Sequence, residues 1–164
     1  MDNIILIGMP GAGKSTVGVL LAKTLGLAFL DTDLVIQERE GRLLQDLVDR
    51  LGVEAFLDRE ADAICSVDCT RTVIATGGSV VCRDRAMEHL KGLGRVVYLR
   101  LPLEELERRL QNISTRGIAM APGETLAHIY AYRTPLYEAY ADRTVTVGRQ
   151  TLEETVEQVL GALR

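Results

Sequence analysis

Short apolar runs alternate with longer segments of helical period along the whole chain. The runs have the length of buried strands and lie at 3–8, 28–30, 72–75, 96–99 and 144–147. In the segments between them apolar residues recur three and four positions apart, as in Val17, Leu20, Leu21 and Leu25. This pattern predicts helices at 14–25, 34–40, 43–51, 53–67, 83–91, 103–110, 125–140 and 152–163, with Pro135 as a kink or break.

The alternation of strands and helices predicts an α/β fold. Strands joined through helices run parallel, and a parallel sheet is covered on both faces. We therefore expect a three-layer sandwich with a central five-stranded parallel sheet, formed by residues 1–164 as a single domain. The segment 111–122 has no clear period and contains Gly117 and Pro122, so it is predicted to be a mobile loop.

Composition and charge narrow the classes of function. The chain has 164 residues, a net charge of −4 and 47% hydrophobic residues, which is typical of a globular domain. No segment is dense in Lys and Arg, so nucleic-acid binding is disfavoured. No apolar run is as long as a membrane span, and no signal peptide is expected. Cys65, Cys69 and Cys82 form no CxxC pair, which is typical of thiols in a reducing cytoplasm. We expect a cytoplasmic protein without a membrane partner, and a monomer.

Residues 8–15 match the phosphate-binding pattern GxxxxGK[ST] in full. The motif follows a predicted strand and opens a predicted helix, where backbone N–H groups and the helix N-terminus favour phosphate. Lys14 is expected to reach the β- and γ-phosphates, and Ser15 to ligate Mg²⁺. The pattern predicts a P-loop NTPase fold and an ATP site that includes Gly11, Ala12, Gly13, Lys14, Ser15 and Thr16.

Two further motifs end strands at the edge of the sheet where the P-loop lies. Asp31 and Asp33 follow the second strand, and there one carboxylate can hold hydrated Mg²⁺ while the other orients or deprotonates an attacking hydroxyl. Such residues also cap the following helix, so capping is the alternative. Gly77 and Gly78 follow the third strand and allow close approach of backbone to a ligand, although a plain turn explains them equally well.

Arginines at four positions are candidates for the binding of charged groups. Arg116 lies in the predicted loop 111–122, where a lid would exclude water and neutralise charge on the transferring group. A solvated surface position is the alternative for Arg116 and for Arg133. Arg109 and Arg149 have the same alternative as ordinary charges of a helix surface and a loop.

These motifs together resemble the shikimate kinase family of nucleoside-monophosphate-kinase-like P-loop enzymes. The resemblance runs through GMPGAGKST at 8–16, LDTD at 30–33, the pattern GxxxFxxxE at 52–60, ATGG at 75–78 and YRTPLY at 132–137. It covers essentially the whole chain. It implies a kinase with ATP as co-substrate, Mg²⁺ as cofactor and a small hydroxy acid as acceptor.

The resemblance also implies roles for single residues. Lys14 and Ser15 would serve the phosphates and Mg²⁺, with Asp31 on the metal side, and Asp33 would be the base at the acceptor hydroxyl. Helices at about 33–66 would bind the acceptor. The remaining implied roles are acceptor binding by Gly77 and Gly78, closure of the lid by Arg116, recognition of the acceptor carboxylate by Arg133, and nucleotide binding by Arg109, against the adenine, and by Arg149.

Three positions depart from the family pattern, all on the acceptor side. Leu57 stands where the family has an Arg that binds the substrate carboxylate, Ser79 replaces a third glycine, and the lid sequence after Arg116 differs. Shikimate is the acceptor that the resemblance implies first. The alternatives are another small hydroxy acid, homoserine first, and a nucleotide-binding protein that turns over no acceptor.

Overall fold

Five parallel strands form a single sheet in the computed structural model, which describes residues 3–111 and 118–164. The strands are β1 (Asn3–Ile7), β2 (Ala28–Asp31), β3 (Thr72–Ala75), β4 (Gly94–Arg100) and β5 (Arg143–Thr146). Their order in the sheet is β2-β3-β1-β4-β5, so the first strand of the chain lies in the centre. The predicted five-stranded parallel sheet is confirmed.

Helices connect the strands and cover the sheet. In chain order they are α1 (Lys14–Leu25), α2 (Thr32–Glu40), α3 (Leu44–Leu51), α4 (Val53–Cys65), α5 (Asp84–Leu93), α6 (Leu103–Leu110), α7 (Leu126–Tyr140) and α8 (Leu152–Leu163). Each was predicted to within a few residues. A short 3₁₀ helix at Val80–Cys82 was not predicted, and α7 continues through Pro135 instead of breaking there.

Two apolar clusters hold these layers together. The larger one contains the buried residues of all the central strands and of the helices packed on them. The smaller one lies under α2, α3 and α4 and contains Ile36, Leu47, Val48, Phe56, Leu57, Ala63 and Ala119. The second cluster therefore fixes α2–α4 as a unit beside the sheet. Within residues 3–111 and 118–164, no helix combines the length and apolar character that crossing a bilayer requires.

The topology brings the chemical motifs to one edge. The P-loop follows β1, the pair Asp31 and Asp33 follows β2, and the glycine pair follows β3. Because these three strands are neighbours and parallel, their carboxyl ends meet at the same edge of the sheet. Helix α7 packs near this edge: Tyr137 stacks on Tyr98 of β4 at a centroid distance of 5.0 Å and donates to the carbonyl of Gly78.

Candidate active site

The P-loop has the local geometry of a phosphate cradle. Gly13 precedes α1 with a φ of 89°, a left-handed conformation that glycine adopts without strain. Lys14 is buried, and its Nζ atom donates to the carbonyls of Gly8 at 2.6 Å and Met9 at 2.8 Å. Burial lowers the pKa of the ammonium to about 8, against the opposing charge of Asp33. At neutral pH Lys14 is therefore a cation held inside its own loop.

Asp31 performs two tasks with its two oxygens. Oδ1 accepts a hydrogen bond from the backbone N–H of Asp33 at 2.9 Å and so caps α2. Oδ2 accepts from the hydroxyl of Ser15 at 2.8 Å. The capping alternative and the contact with the P-loop are thus both present in this one side chain. Ser15 and Asp31 offer hard oxygen donors side by side, which fit Mg²⁺.

That pairing is the kind of metal site that a nucleotide completes. No group of three or more His, Cys, Asp or Glu side chains is arranged to hold a metal within residues 3–111 and 118–164. Mg²⁺ in kinases is commonly bound by one or two protein oxygens plus substrate phosphates. The donor set at Ser15 and Asp31 agrees with that mode.

A cavity of about 260 Å³ lies beyond the P-loop and brings the predicted acceptor residues together. Its lining includes Lys14, Asp33, Gly77, Gly78 and Arg133. Further lining comes from Pro10, Leu44, Phe56, Glu60, Ser79, Ile118 and Ala119. We call this the acceptor cavity, and it contains groups from α1, α2, α3, α4, α7 and the segment after β3.

The glycines after β3 allow close packing on both sides of the acceptor cavity. A Cβ atom at Gly78 would lie 2.6 Å from Cδ of Pro10 in the P-loop. A Cβ atom at Gly77 would lie 2.9 Å from Oδ1 of Asp33 and 3.1 Å from Oε2 of Glu60. The carbonyl of Gly78 also accepts a hydrogen bond from the hydroxyl of Tyr137. A side chain at either position would therefore disturb these contacts, at Gly78 with the P-loop and at Gly77 with the two carboxyl groups.

Two carboxyl groups of the acceptor cavity have raised pKa values. Burial raises the pKa of Asp33 to about 6, with a further rise from Asp31 and an opposing effect of Lys14. Burial raises the pKa of Glu60 to about 7, while a hydrogen bond from Ser79 favours its ionised form. Asp33 is therefore mostly ionised just above neutral pH but titrates closer to neutrality than an exposed Asp, as expected of a general base.

Arg133 presents a buried guanidinium to the same cavity. Its Nη2 atom donates to the carbonyl of Ala119 at 2.8 Å. Its Nη1 atom is buried and has no hydrogen-bond partner among the residues that the structure describes. A buried donor without a partner is costly, so this atom is a candidate for binding an anionic group of a ligand.

A second cavity of about 440 Å³ lies on the other side of the P-loop. Gly11, Ala12, Gly13, Thr16 and Arg109 line it, together with Val17, Val147, Gln150, Leu152 and Thr155. The guanidinium of Arg109 donates to the carbonyls of Gly11 at 3.3 Å and Gly148 at 3.1 Å. Arg109 thereby links the P-loop to the segment before α8.

A buried carboxylate holds the arginines at the rim of this second cavity. Glu105 accepts from Arg108 and from Nε of Arg109, the latter at 3.2 Å, and lies 3.6 Å from Nε of Arg149. The hydrogen bond from Arg108 is the main reason that the pKa of Glu105 falls to about 2. Arg149 itself is largely exposed and does not line the cavity, and its role in nucleotide binding stays a prediction.

Comparison with known proteins places this geometry in a family. The family model described as shikimate kinase matches residues 10–164. The chain belongs to the shikimate kinase family. As a member of that family it is a phosphotransferase that acts on a hydroxyl group, with ATP as co-substrate.

Relatives in the shikimate kinase family match over their full length. A shikimate kinase of Pseudomonas aeruginosa is 39% identical over all of this chain and 97% of its own. One from Thermodesulfovibrio yellowstonii is 37% identical, covering 98% of this chain and 94% of the relative. A solved shikimate kinase from Acinetobacter baumannii in complex with shikimate superposes with a TM-score of 0.89 at 30% identity, covering 99% of this chain and 93% of that one.

Of the described residues predicted for a shikimate kinase site, Leu57 does not line the acceptor cavity. Leu57 is buried in the smaller apolar cluster and lines an adjoining cavity of about 250 Å³, which shares Ala119 and Arg133 with the acceptor cavity. Arg116 lies outside the described residues, as does the rest of 112–117, which is half of the predicted lid. Of that segment, Ile118 and Ala119 line the acceptor cavity.

Sequence reasoning assigned no role to Glu60 or Ser79. Glu60 was noted as a motif position and as a neighbour of the acceptor pocket, and Ser79 as a departure from a glycine. In the structure both are buried, and the Ser79 hydroxyl lies 2.9 Å from Oε1 and 3.1 Å from Oε2 of Glu60. The available signal for Glu60 was its position in the pattern GxxxFxxxE, one helical turn after Phe56. Both side chains line the acceptor cavity.

Proposed function

We propose that this chain transfers the γ-phosphoryl group of ATP to a ring hydroxyl of shikimate, giving shikimate 3-phosphate. One observation carries the proposal: a single cavity contains the P-loop cation Lys14, the carboxyl group of Asp33 and the buried guanidinium of Arg133. A phosphoryl donor, a base and a site for a carboxylate are the three requirements of this reaction. The shikimate kinases that match this chain at 37% and 39% identity over nearly their full length support shikimate as the acceptor.

On the donor side, the P-loop binds the phosphates of ATP. Lys14 exchanges its carbonyl partners for phosphate oxygens and places its charge where negative charge develops on the transferring group. Ser15 and Asp31 would hold Mg²⁺, which supplies further neutralisation of the phosphate charge. The second cavity accepts the adenosine, with Arg109 at its wall.

On the acceptor side, Asp33 orients the attacking hydroxyl and takes its proton. Its raised pKa of about 6 leaves it ionised at slightly alkaline pH and makes it a better proton acceptor than an exposed carboxylate. Gly77 allows the carboxyl groups of Asp33 and Glu60 to keep their positions, because a Cβ atom there would lie within 3.1 Å of both. Phosphoryl transfer depends mainly on positioning, and this arrangement provides it.

Arg133 binds the acceptor carboxylate through its unpartnered Nη1 atom. The family pattern implies two arginines at the acceptor carboxylate. This chain retains only Arg133, because Leu57 occupies the position of the other. Loss of one charged hydrogen bond, worth roughly 1.5–3 kcal/mol, predicts weaker shikimate binding by about 10- to 100-fold than with two arginines. Arg59 does not replace the missing group, because it pairs with Glu40 on the surface at 3.0 Å.

Acceptor-dependent release of ADP tests the proposal. Purified protein is supplied with MgATP and each of a panel of small hydroxy acids that includes shikimate and homoserine. Shikimate should be the best acceptor, and Asp33→Asn should abolish transfer while nucleotide still binds. Use of homoserine but not shikimate would refute the assigned acceptor, and ADP release with no acceptor dependence would refute the kinase mechanism.

The remaining assignments are part of the same proposal. Arg116 closes the site as a lid arginine, and Arg149 contributes to nucleotide binding from the exposed surface. The chain is cytoplasmic and monomeric and binds no nucleic acid. The three cysteines, all of which are free, are consistent with a reducing compartment.

A further inference from the structure

Ser79 and Glu60 form a buried pair at the wall of the acceptor cavity. The Ser79 hydroxyl donates toward the carboxylate of Glu60, at 2.9 Å from Oε1 and 3.1 Å from Oε2. Both residues are more than nine-tenths buried, and both line the cavity. Oε2 of Glu60 and Oδ1 of Asp33 approach the same backbone position, Gly77, from α4 and α2. The two carboxyl groups therefore lie side by side at the wall of the acceptor cavity.

We propose that Ser79 is a positioning residue whose hydroxyl holds Glu60 as a carboxylate turned toward the acceptor. Glu60 then accepts a hydrogen bond from a second donor group of the acceptor, next to the hydroxyl that is phosphorylated. This inference rests on the proposed function. It assigns the recognised chemistry as a pair of neighbouring donors, one facing Asp33 and one facing Glu60, with a carboxylate at Arg133.

The physical reason is that a buried carboxylate needs donors to stay ionised. Burial favours the protonated form of Glu60, and a protonated carboxyl can rotate to donate its own proton instead of accepting one. A hydroxyl at position 79 has a single proton, which it gives to Glu60 because the carboxylate is the acceptor within reach. A glycine at this position has no such group, so the family pattern lacks the hydrogen bond that Ser79 donates to Glu60 in this chain.

Other charged groups around Glu60 act in both directions. Arg133 on α7 and Lys14 on α1 favour its ionised form, whereas Asp33 on α2 opposes it. Cys82, in the 3₁₀ helix after Ser79, is a neutral thiol because burial raises its pKa. All of these groups stay in place when Ser79 alone is changed, so the effect of the hydroxyl can be isolated.

Ser79→Ala is the first test, with kinetics measured for the acceptor and for ATP separately. A hydrogen bond to a charged group changes binding affinity by roughly 10- to 100-fold. Because Ser79 affects the acceptor only through Glu60, we expect the lower end of that range, a rise of about 10-fold in the KM for shikimate. The kcat value and the KM for ATP should stay within about twofold, since neither depends on Glu60. Ser79→Gly, the residue of the family pattern, should behave like Ser79→Ala and provides a second variant if the first folds poorly.

The pH profile separates positioning from a merely structural role. Without the hydroxyl the pKa of Glu60 rises, so the acid limb of kcat/KM should move to higher pH by roughly one unit. The kcat/KM of the variant should approach that of the parent as the pH rises, because Glu60 then ionises even without the Ser79 hydrogen bond. Glu60→Gln combined with Ser79→Ala should be no worse than Glu60→Gln alone, since both changes act on one interaction.

A titration without acceptor makes the inference independent of the acceptor's identity. Carboxyl carbons of ¹³C-labelled glutamate are followed by NMR, with Glu60 assigned by its loss in Glu60→Gln. An upward shift of the Glu60 midpoint in Ser79→Ala supports the proposal even if shikimate is not the acceptor. An unmoved midpoint, or a parent-like acceptor KM and pH profile in a folded variant that uses shikimate, would overturn it.

Discussion

A methyl group added at Gly77 would enter the space between the two carboxyl groups of the acceptor cavity. Its position would be 2.9 Å from Oδ1 of Asp33 and 3.1 Å from Oε2 of Glu60, whereas ordinary contact begins near 3.4 Å. The φ angle of Gly77 is not positive, so alanine meets no backbone strain there. The cost of Gly77→Ala therefore falls on the two side chains, and the fold should survive.

The size of the effect follows from the distance that Asp33 must move. Its Oδ1 atom has to retreat by about 0.5 Å, and a misplacement of about 1 Å costs on the order of 100-fold in rate, so we expect a loss of about 10-fold in kcat. That corresponds to about 1.4 kcal/mol of activation free energy. ATP affinity should be unchanged, because the P-loop contacts of Lys14 and Ser15 are not touched.

The assay is shikimate-dependent ADP release, combined with calorimetric ATP binding and a thermal unfolding curve. Gly161→Ala on α8 is the matched control, since a Cβ atom there has no neighbour within 4 Å. The control should be fully active and more stable by roughly 0.5–1 kcal/mol, the usual gain from replacing a helical glycine. A folded Gly77→Ala variant with kcat within twofold of the parent would refute the placement of Asp33 at the reacting hydroxyl.

Three other substitutions probe the donor side and the titrating groups. Lys14→Ala should bind shikimate but lose on the order of 10²–10³ in kcat, whereas the exposed Lys23→Ala on the same helix should not; near-normal turnover in folded Lys14→Ala would contradict the phosphate assignment. Asp33→Asn should raise the free energy of unfolding at pH 7.5 by on the order of 1–3 kcal/mol, because a carboxyl with its pKa raised from 3.8 to about 6 destabilises the fold once it ionises. The folded state holds the extra proton between those two pKa values, so in urea unfolding the gain should disappear below pH 4, and a gain that persists there has another cause. Glu105→Gln should raise the KM for ATP about 2- to 10-fold and leave that of shikimate alone, because it loosens Arg109 at the nucleotide cavity; an equal rise for both substrates would argue against this local role.

Local motifs were predictable because their chemistry is contiguous in the sequence. The P-loop places backbone N–H groups, Lys14 and Ser15 within eight residues, and Asp31 lies at the end of a strand that the apolar pattern identifies. The parallel sheet then follows from the alternation of elements. These inferences needed no knowledge of how distant segments pack.

The acceptor wall was harder to predict because it depends on contacts between segments. Ser79 donates a hydrogen bond to Glu60 from 19 residues away, and neither residue type indicates burial by itself. Leu57 was expected to face the acceptor from the family pattern, yet an apolar side chain at that position joins the core under α2–α4. The side chain of Arg149, a predicted nucleotide-binding residue, lies on the surface beside Glu105.

The central place of β1 has a consequence for synthesis on the ribosome. This strand is made first, yet its two partners are β3, where Ile4 pairs with Val73, and β4, where Ile5 pairs with Val96. The first edge of β1 can be covered only after about 75 residues have left the exit tunnel, and the second only after about 100. Until then an apolar strand with open edges is exposed, which is the condition under which nascent chains aggregate or recruit chaperones. Translation speed through the first two-thirds of the message should therefore affect the yield of folded protein more than speed in the last third.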